Sequence, residues 1–186
     1  RQQRSEFDPL RSAIECAHEI GIDIYPQVRM IGEQLPPNHI HYTGPGAFQK
    51  EHPEYRCISP SGNPTRHLSQ AFEPVRAKYI ALFREWVEDY LADGVCIVFN
   101  RSWPYVLYEK PVLDSFMDKY GFEMKSVDPY DERVLAHRAS FLTELLRETR
   151  QMLDAVGASQ GRRLKTAYVI PAVGLEPEGC PDLGPF

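Results

Sequence analysis

Apolar residues recur at helical spacing in four stretches of the chain. The first stretch begins at Asp8-Pro9, which supplies a capping acceptor and then a proline at the first helical position, and it ends at Gly21. Gly121 closes the third stretch, and Gly157 and Gly161 close the last. The predicted helices cover about 9–20, 73–91, 111–120 and 131–156.

Three short apolar stretches between these helices predict β-strands, over 22–29, 95–99 and 164–170. The middle stretch is apolar without alternation, which is typical of a strand buried on both faces of a parallel sheet. Pro26 weakens the first strand because it cannot donate a ladder hydrogen bond. Every connection between strands contains a helix, so we expect parallel strands with right-handed crossovers. The predicted class is α/β, with the helices packed on one outer face.

The segments that follow the strands are longer than those that precede them. A loop over about 30–70, rich in proline, glycine, histidine and aromatic residues, follows the first strand. The turns that precede the first two strands, at Gly21 and at Asp93-Gly94, are tight. This asymmetry is typical of (β/α) barrels and of doubly wound sheets. No glycine-rich phosphate-binding motif is present, so a nucleotide-binding fold has no support and no cofactor is predicted.

Composition and charge exclude several classes of partner. Hydrophobic residues make up 42% of the chain and charged residues 25%, and the net charge of -5 gives no basic field for nucleic acid or anionic lipid. No run approaches the roughly 20 apolar residues that a membrane span requires. The four cysteines form no CxxC motif, and Cys16 and Cys96 fall on apolar faces, where we expect them to be buried.

Three stretches carry a resemblance to a known family. Residues 7–30 (FDPLRSAIECAHEIGIDIYPQVRM) join a helix that starts at Asp-Pro-Leu to a strand. Residues 48–80 (FQKEHPEYRCISPSGNPTRHLSQAFEPVRAKYI) contain a His-Pro-Glu-aromatic loop before a Pro-Val-Arg helix. Residues 93–121 (DGVCIVFNRSWPYVLYEKPVLDSFMDKYG) contain a strand, an Arg-bearing loop and a helix. Together they resemble the glycosyl-hydrolase-like family 10 proteins, over about 7–171.

The resemblance implies a TIM barrel, of which this chain would hold about the third, fourth and fifth strands. It also implies a glycosidase that acts on an oligosaccharide or polysaccharide. Three strands cannot close an eight-stranded barrel, so we expect flanking strands outside this chain. Residues 1–186 are then a single barrel segment, with an irregular tail over 171–186.

Glu109 is the candidate catalytic residue. It is the nearest carboxylate after the second predicted strand, on the same loop. Glycoside hydrolysis generally needs two carboxylates, one as acid and one as nucleophile or base, and Glu109 could be the acid. The second would come from outside this chain. A structural alternative stays open, because the helix dipole favours an acidic residue next to Pro111 at a helix start.

Polar residues at the strand ends are predicted to bind substrate. Asn100 ends the second strand, where many sugar-cleaving barrels place Asn and then a catalytic Glu, and here Arg101 departs from that pattern. The planar fork of Arg101 could bind a sugar oxygen or pair with a structural carboxylate. Tyr25, Gln27 and Arg29 alternate along the first strand and so share one face, which in a barrel lines the site or packs the lumen. We expect Gln27, Arg29, Asn100 and Arg101 to converge at one end of the sheet.

Loop aromatics and histidines complete the predicted site. His52, Trp103 and Tyr105 are predicted to contact substrate, since aromatic faces bind the apolar faces of sugars. The alternative is that such residues pin their own loops. His39 and His41 have a spacing compatible with a metal, but no HExxH motif accompanies them, so histidines that contact sugar or solvent are favoured.

Three functions therefore stay open. The leading one is glycoside hydrolysis by a barrel of which this is the middle. The second is a non-catalytic carbohydrate-binding barrel, which the Asn100-Arg101 pair keeps open. The third is a metal-dependent hydrolase that uses the loop histidines.

Overall fold

The computed structural model of the chain describes residues 8–30, 46–100 and 104–170. Its helices are α1 (Pro9–Glu19), α2 (Ala47–Glu51), α3 (Glu73–Glu88), α4 (Lys110–Tyr120) and α5 (Glu132–Gln160). Its strands are β1 (Gln27–Arg29), β2 (Arg56–Ile58), β3 (Pro64–Leu68), β4 (Gly94–Val98) and β5 (Lys165–Val169). Short 3-10 helices lie at Pro53–Tyr55 and Met124–Ser126. The predicted tail over 171–186 lies outside the described residues.

A parallel sheet with the strand order β1-β4-β5 forms the centre of the structure. Arg29 of β1 lies beside Val98 of β4, and Val98 lies beside Val169 of β5. The prediction of three parallel strands joined through helices is confirmed. Among the described residues this sheet is open, and no closed barrel is seen.

The helices cover one face of this sheet. Val95 and Ile97 of β4 are fully buried and belong to one hydrophobic core with residues of α3 and α5. The core residues contributed by these two helices include Phe83, Val87, Leu145, Leu153 and Val156. The opposite face carries Gln27, its neighbour Cys96 and Ala167, which are exposed or half-buried. Gly94 and Val98, which share the face of Cys96, are buried as well, so β4 is buried on both faces along most of its length, as predicted.

Strand β1 is shorter than the predicted 22–29. Asp93, in the turn before β4, uses its Oδ2 to accept a hydrogen bond from the N–H of Ile24, at 2.9 Å, and donates its own N–H to the Ile24 carbonyl, at 3.1 Å. These bonds tie Ile24 to the turn before β4, so residues 22–25 do not join the sheet. The pairing of β1 with β4 begins after Pro26. The carbonyl of Pro26 still accepts the N–H of Cys96 at 2.9 Å. The proline and the turn together shorten the strand.

The segment predicted as one long loop, 30–70, contains regular structure in its described part. Strands β2 and β3 form an antiparallel hairpin that has an irregular register between Arg56 and Ile58. The hairpin turn is closed by Ser59, which accepts a hydrogen bond from Gly62 and exchanges one with Asn63. Short strands with one Pro and few alternating apolar residues do not stand out by pattern, although the Ser-Pro-Ser-Gly-Asn turn is a hairpin signal.

Helix ends follow the sequence signals, with one exception. Asp8 caps α1 by accepting from the N–H groups of Leu10 and Arg11. Gly161 ends α5 in the left-handed region, at φ 64°. Gly157, by contrast, lies inside α5, where a Cβ would stand 2.5 Å from the carbonyl oxygen of Arg162. Gly157 therefore serves a close backbone approach and does not end the helix.

Two further expectations can be compared with the fold. Cys16 is exposed and Cys96 half-buried, so the prediction that both are buried is wrong. Cys16 lies on α1, whose only fully buried residue is Ile14. None of the helices within the described part of the chain has the length and apolar character that crossing a membrane requires.

Candidate functional site

The carboxyl edge of the sheet brings together some of the predicted binding residues. Arg29 is the last residue of β1 and pairs in register with Val98, and Asn100 follows two residues after Val98. Gln27 lies two residues before Arg29, and successive alternate residues share a face of a strand. Gln27 and Arg29 are exposed, and Asn100 is half-buried. Arg101 lies outside the described residues.

Tyr25 lies at the opposite, amino-terminal edge of the sheet. Its hydroxyl donates to Oδ2 of Asp23 at 2.9 Å, and the same oxygen lies 2.6 Å from Nζ of Lys165, at the start of β5. Tyr25 precedes Arg29 by four positions of extended chain, a distance of about 13 Å. Tyr25 thus belongs to a polar cluster that joins the starts of two strands, and the structure does not bring it to the carboxyl edge.

Aromatic side chains of the segment after β1 pack on one another. The ring centroid of His52 lies 4.7 Å from that of Phe48 and 5.1 Å from that of Tyr55, and Tyr55 lies 5.1 Å from Phe72. The Nδ1 of His52 is 2.9 Å from Oε1 of Glu54. Phe72 is the N-cap residue of α3. The other end of α3 leads into the amino-terminal end of β4, so the start of α3 and this cluster lie towards the carboxyl edge of the sheet. The rings are half-buried and support one another as well as offering surface.

Tyr105 is buried and packs against Phe99, the residue that follows β4. Its ring meets that of Phe99 edge-on at 5.5 Å, and burial raises the pKa of its hydroxyl. Its carbonyl accepts the backbone N–H of Gln70 at 2.8 Å. These contacts fit the alternative that the tyrosine pins its own loop. Trp103 lies outside the described residues.

The carboxylate of Glu109 is buried among backbone N–H groups. The residue is 0% exposed, and its Oε1 accepts from the N–H of Ile58 at 3.2 Å and of Leu107 at 3.1 Å. Its Oε2 lies 2.9 Å from the same Leu107 nitrogen. Glu109 precedes α4 as its N-cap, but its side chain makes no capping bond to that helix. One carboxylate thus joins the β2–β3 hairpin to the loop after β4, a structural role that differs from the predicted alternative of a charge at a helix start.

A buried arginine holds the other side of the same peptide group. Nε and Nη2 of Arg138, a residue of α5 that is 3% exposed, donate to the carbonyl of Val106 at 2.9 and 2.6 Å. The carbonyl of Val106 and the N–H of Leu107 belong to one peptide unit. A cation at its oxygen and a carboxylate at its nitrogen both follow the peptide dipole, and charge-assisted hydrogen bonds are the stronger ones. We call this arrangement of Arg138, Glu109 and the 106–107 peptide the peptide clamp.

Burial dominates the titration of the groups around the clamp. It raises the pKa of Glu109, while the surrounding backbone N–H groups and the Cys57 thiol act in the opposite direction. Burial likewise raises the pKa of Cys57, with Glu109 as the next cause, and lowers that of Arg138. A raised carboxyl pKa is what a general acid requires, but an acid must also reach its substrate. Glu109 has no exposed surface through which to do so.

A serine and a histidine also lie together, between α4 and α5. Nε2 of His137 is 3.0 Å from Oγ of Ser115 and 3.1 Å from the carbonyl of Val112. A carbonyl only accepts, so Nε2 carries the proton, and the Ser115 hydroxyl donates to the carbonyl of Pro111 at 2.6 Å. His137 therefore cannot take a proton from Ser115, and the pair joins two helices.

No protein-family model and no curated protein matches the sequence. The resemblance to glycosyl-hydrolase-like family 10 proteins thus rests on the motifs quoted above. Within 8–30, 46–100 and 104–170, no group of three or more His, Cys, Asp and Glu residues is placed to hold a metal ion. His39 and His41, on which the metal-dependent alternative rests, lie outside these residues.

Three polar residues near the edge were not singled out by sequence reasoning: Arg138, Cys57 and Gln70. Arg138 sits among apolar positions of a helix pattern, where an arginine is normally assigned to the solvent face. Its burial depends on a carbonyl that is 32 residues away in sequence. The available signal was the position of Arg138 among the apolar residues of the helical repeat. This position predicts that the side chain is buried, but it does not predict that the carbonyl of Val106 is its partner.

Proposed function

We propose that this chain is part of a (β/α)-barrel protein that hydrolyses an oligosaccharide or polysaccharide. The observation that carries the proposal is the parallel order β1-β4-β5 with its helices on one face, and with polar side chains at the carboxyl edge. In barrels the loops at that edge build the active site. The uncovered face that carries Gln27 and Arg29 would then point towards the barrel interior.

Neutral carbohydrate suits the residues at this edge. Arg29 and Asn100 provide hydrogen-bond donors and an amide acceptor, which match sugar hydroxyls. The aromatic cluster of Phe48, His52 and Tyr55 adds half-buried ring surface of the kind that packs on apolar sugar faces. The resemblance described above points to the same class of ligand.

The catalytic acid in this proposal is not Glu109. Its oxygens are engaged by the N–H groups of Ile58 and Leu107, and we assign it to the peptide clamp. Two other carboxylates would carry the reaction, one as acid and one as nucleophile or base.

The burial of Glu109 also favours a second function, a barrel that binds carbohydrate without cleaving it. One experiment separates the two. The full-length protein is incubated with a panel of neutral polysaccharides, and new reducing ends and retardation in polysaccharide-containing native gels are measured in parallel. New reducing ends establish hydrolysis, and retardation without them establishes the binding function. Neither result on any polysaccharide would overturn both.

A further inference from the structure

We propose that a groove beside α4 is the docking site for a second copy of this chain, with the two α4 helices side by side and antiparallel. The groove lies between α4 and the segment 123–125 and has a volume of about 640 Å³. Its apolar lining consists of Leu113, Met117 and Met124. This inference concerns the association of the protein and goes beyond the proposed function, on which it does not depend.

The apolar lining of the groove reaches the surface at Met117. This residue is 38% exposed, whereas Met124 is buried and Leu113 is half-buried against the core. Leu113 and Met117 are four positions apart, so they are neighbours on one face of α4. Methionine is unbranched and flexible, so its side chain can adapt to a surface that packs on it. The groove therefore offers an apolar strip that a second helix can cover.

Two charges beside the groove run against the dipole of their own helix. Lys110 is the first residue of α4 and Asp118 lies in its last turn, whereas the dipole favours acidic residues at the start and basic residues at the end. Nζ of Lys110 lies 2.6 Å from Oδ2 of Asp114, but a cation that precedes its anion by four positions is the weaker arrangement of such a pair. Among the residues that the structure describes, Asp118 makes no ion pair. Lys110 and Asp118 therefore gain little within α4, and such local conflicts are typical of functional surfaces.

A second α4 that runs in the opposite direction uses both of these charges. Lys110 and Asp118 are eight positions apart, about 12 Å along the helix axis, with Leu113 and Met117 between them. In an antiparallel pair related by a two-fold axis, Leu113 of each copy faces Met117 of the other. Each Lys110 then comes near Asp118 of the second copy, so the interface contains two equivalent ion pairs.

The charge pattern favours a second copy over an unrelated partner. Residues of both signs line the groove, with Lys110 and Lys125 against Asp114, Asp118 and Glu123. Such a mixture gives no field of one sign that would select a basic protein, an acidic protein or an anionic surface. A matching partner must present lysine and aspartate in the reverse order along an apolar strip, and α4 itself does so when it is turned around.

Sedimentation equilibrium of the full-length protein tests the interface. We expect a dimer, and Asp118→Lys should raise its Kd about tenfold because both ion pairs become like-charge contacts. The variant should keep at least the wild-type Tm, since a lysine in the last turn suits the helix dipole and can pair with Asp114. Lys110→Asp should raise the Kd as well. The double variant Lys110→Asp/Asp118→Lys should return the Kd close to the wild-type value, because the pair is restored with its signs exchanged.

Lys119→Asp is the matched control. Lys119 is an exposed lysine of α4 that is next to Asp118 in sequence but does not line the groove. We expect this variant to have the wild-type Kd. Met117→Ser removes the exposed apolar side chain without changing a charge, and it should raise the Kd about tenfold, since each dimer loses two such side chains.

Cross-linking identifies the partner residue directly. Unlabelled and ¹⁵N-labelled full-length protein are mixed, and a carbodiimide joins adjacent lysine and carboxylate side chains through an amide bond. We expect mass spectrometry to find Lys110 of an unlabelled chain joined to Asp118 of a labelled chain, and the reverse. Any joining of Lys110 to Asp114, its neighbour on the same helix, should stay within one isotope.

Several results would overturn the inference. They are a monomer at every concentration, an unchanged Kd in Asp118→Lys, equal effects of Asp118→Lys and Lys119→Asp, and a double variant that associates as weakly as the single ones. A dimer in which no cross-link joins Lys110 of one copy to Asp118 of the other would place the interface elsewhere and overturn it too. The proposed function stands in each of these cases, because cleavage and binding of polysaccharide are measured separately.

Discussion

Glu109→Ala tests the peptide clamp, and we expect it to lower the free energy of unfolding by about 3 kcal/mol. The substitution leaves the N–H groups of Ile58 and Leu107, two half-buried residues, without this acceptor, at about 1–3 kcal/mol each. It also removes the carboxylate that balances the buried guanidinium of Arg138. Burial of the carboxylate is itself unfavourable, as the raised pKa of Glu109 shows. The alanine variant does not have this cost, which offsets part of the loss of stability.

Urea unfolding of the variants, followed by tryptophan fluorescence and circular dichroism, measures the effect. Glu109→Gln keeps an acceptor at the Oε1 position, where both N–H groups are within reach, so its loss should be about 1 kcal/mol. Glu123→Ala removes an exposed carboxylate and is the control. In a double-mutant cycle with Arg138→Met, the clamp predicts a coupling energy of about 1 kcal/mol or more. Equal stability of Glu109→Ala and Glu123→Ala would refute the clamp.

Two further results are expected. Burial lowers the pKa of His67 from 6.5 to about 4. The unfolded state thus binds the proton more readily, and stability that is present above about pH 6.5 should be lost as the pH falls towards 4, by up to about 3 kcal/mol. His67→Gln should reduce this loss in urea midpoints measured across that range, and an unchanged pH dependence would contradict it. Gly157→Ala should lower stability by about 1–3 kcal/mol, because its Cβ would stand 2.5 Å from the carbonyl oxygen of Arg162. Gly46→Ala, which meets no atom within 4 Å, should unfold at the wild-type urea concentration, and equal midpoints for the two variants would show that the close approach does not matter.

The elements that follow from the sequence are those whose signals are local. The apolar run at 95–99 predicted β4, and the capping residue Asp8 marked the start of α1. Strand β1 was predicted too long because the bonds that exclude 22–25 from the ladder come from Asp93, which is 69 residues from Ile24 in sequence. The β2–β3 hairpin was missed because three- and five-residue strands carry almost no periodicity.

The candidate site shows the same division. Placement of Arg29 and Asn100 at one edge follows from strand order, since the carboxyl ends of parallel strands lie together. The surroundings of Glu109 could not be predicted from strand order, because its carboxylate accepts a hydrogen bond from Ile58, which is 51 residues away in sequence. The sequence pattern predicted only that a carboxylate follows a strand. An exposed catalytic acid and a buried acceptor of backbone hydrogen bonds both fit that pattern.

The burial of Glu109 determines where catalytic carboxylates would be sought. A retaining glycosidase places its two carboxyl groups about 5–5.5 Å apart, and an inverting one about 6.5–9.5 Å apart, on either side of the bond. Glu109 has no exposed surface, and the predicted substrate-binding residues Arg29 and Asn100 are cationic and neutral, whereas Glu54, beside His52, is an exposed carboxylate. Arg29 and Asn100 can hold a sugar but cannot protonate a leaving group as a carboxylic acid does. In the described sheet the outer edges of β1 and β5 have no strand beside them, so a barrel would add its further strands there. In the proposed function, Arg29 and Asn100 would therefore hold the substrate, while carboxylates other than Glu109 would cleave it.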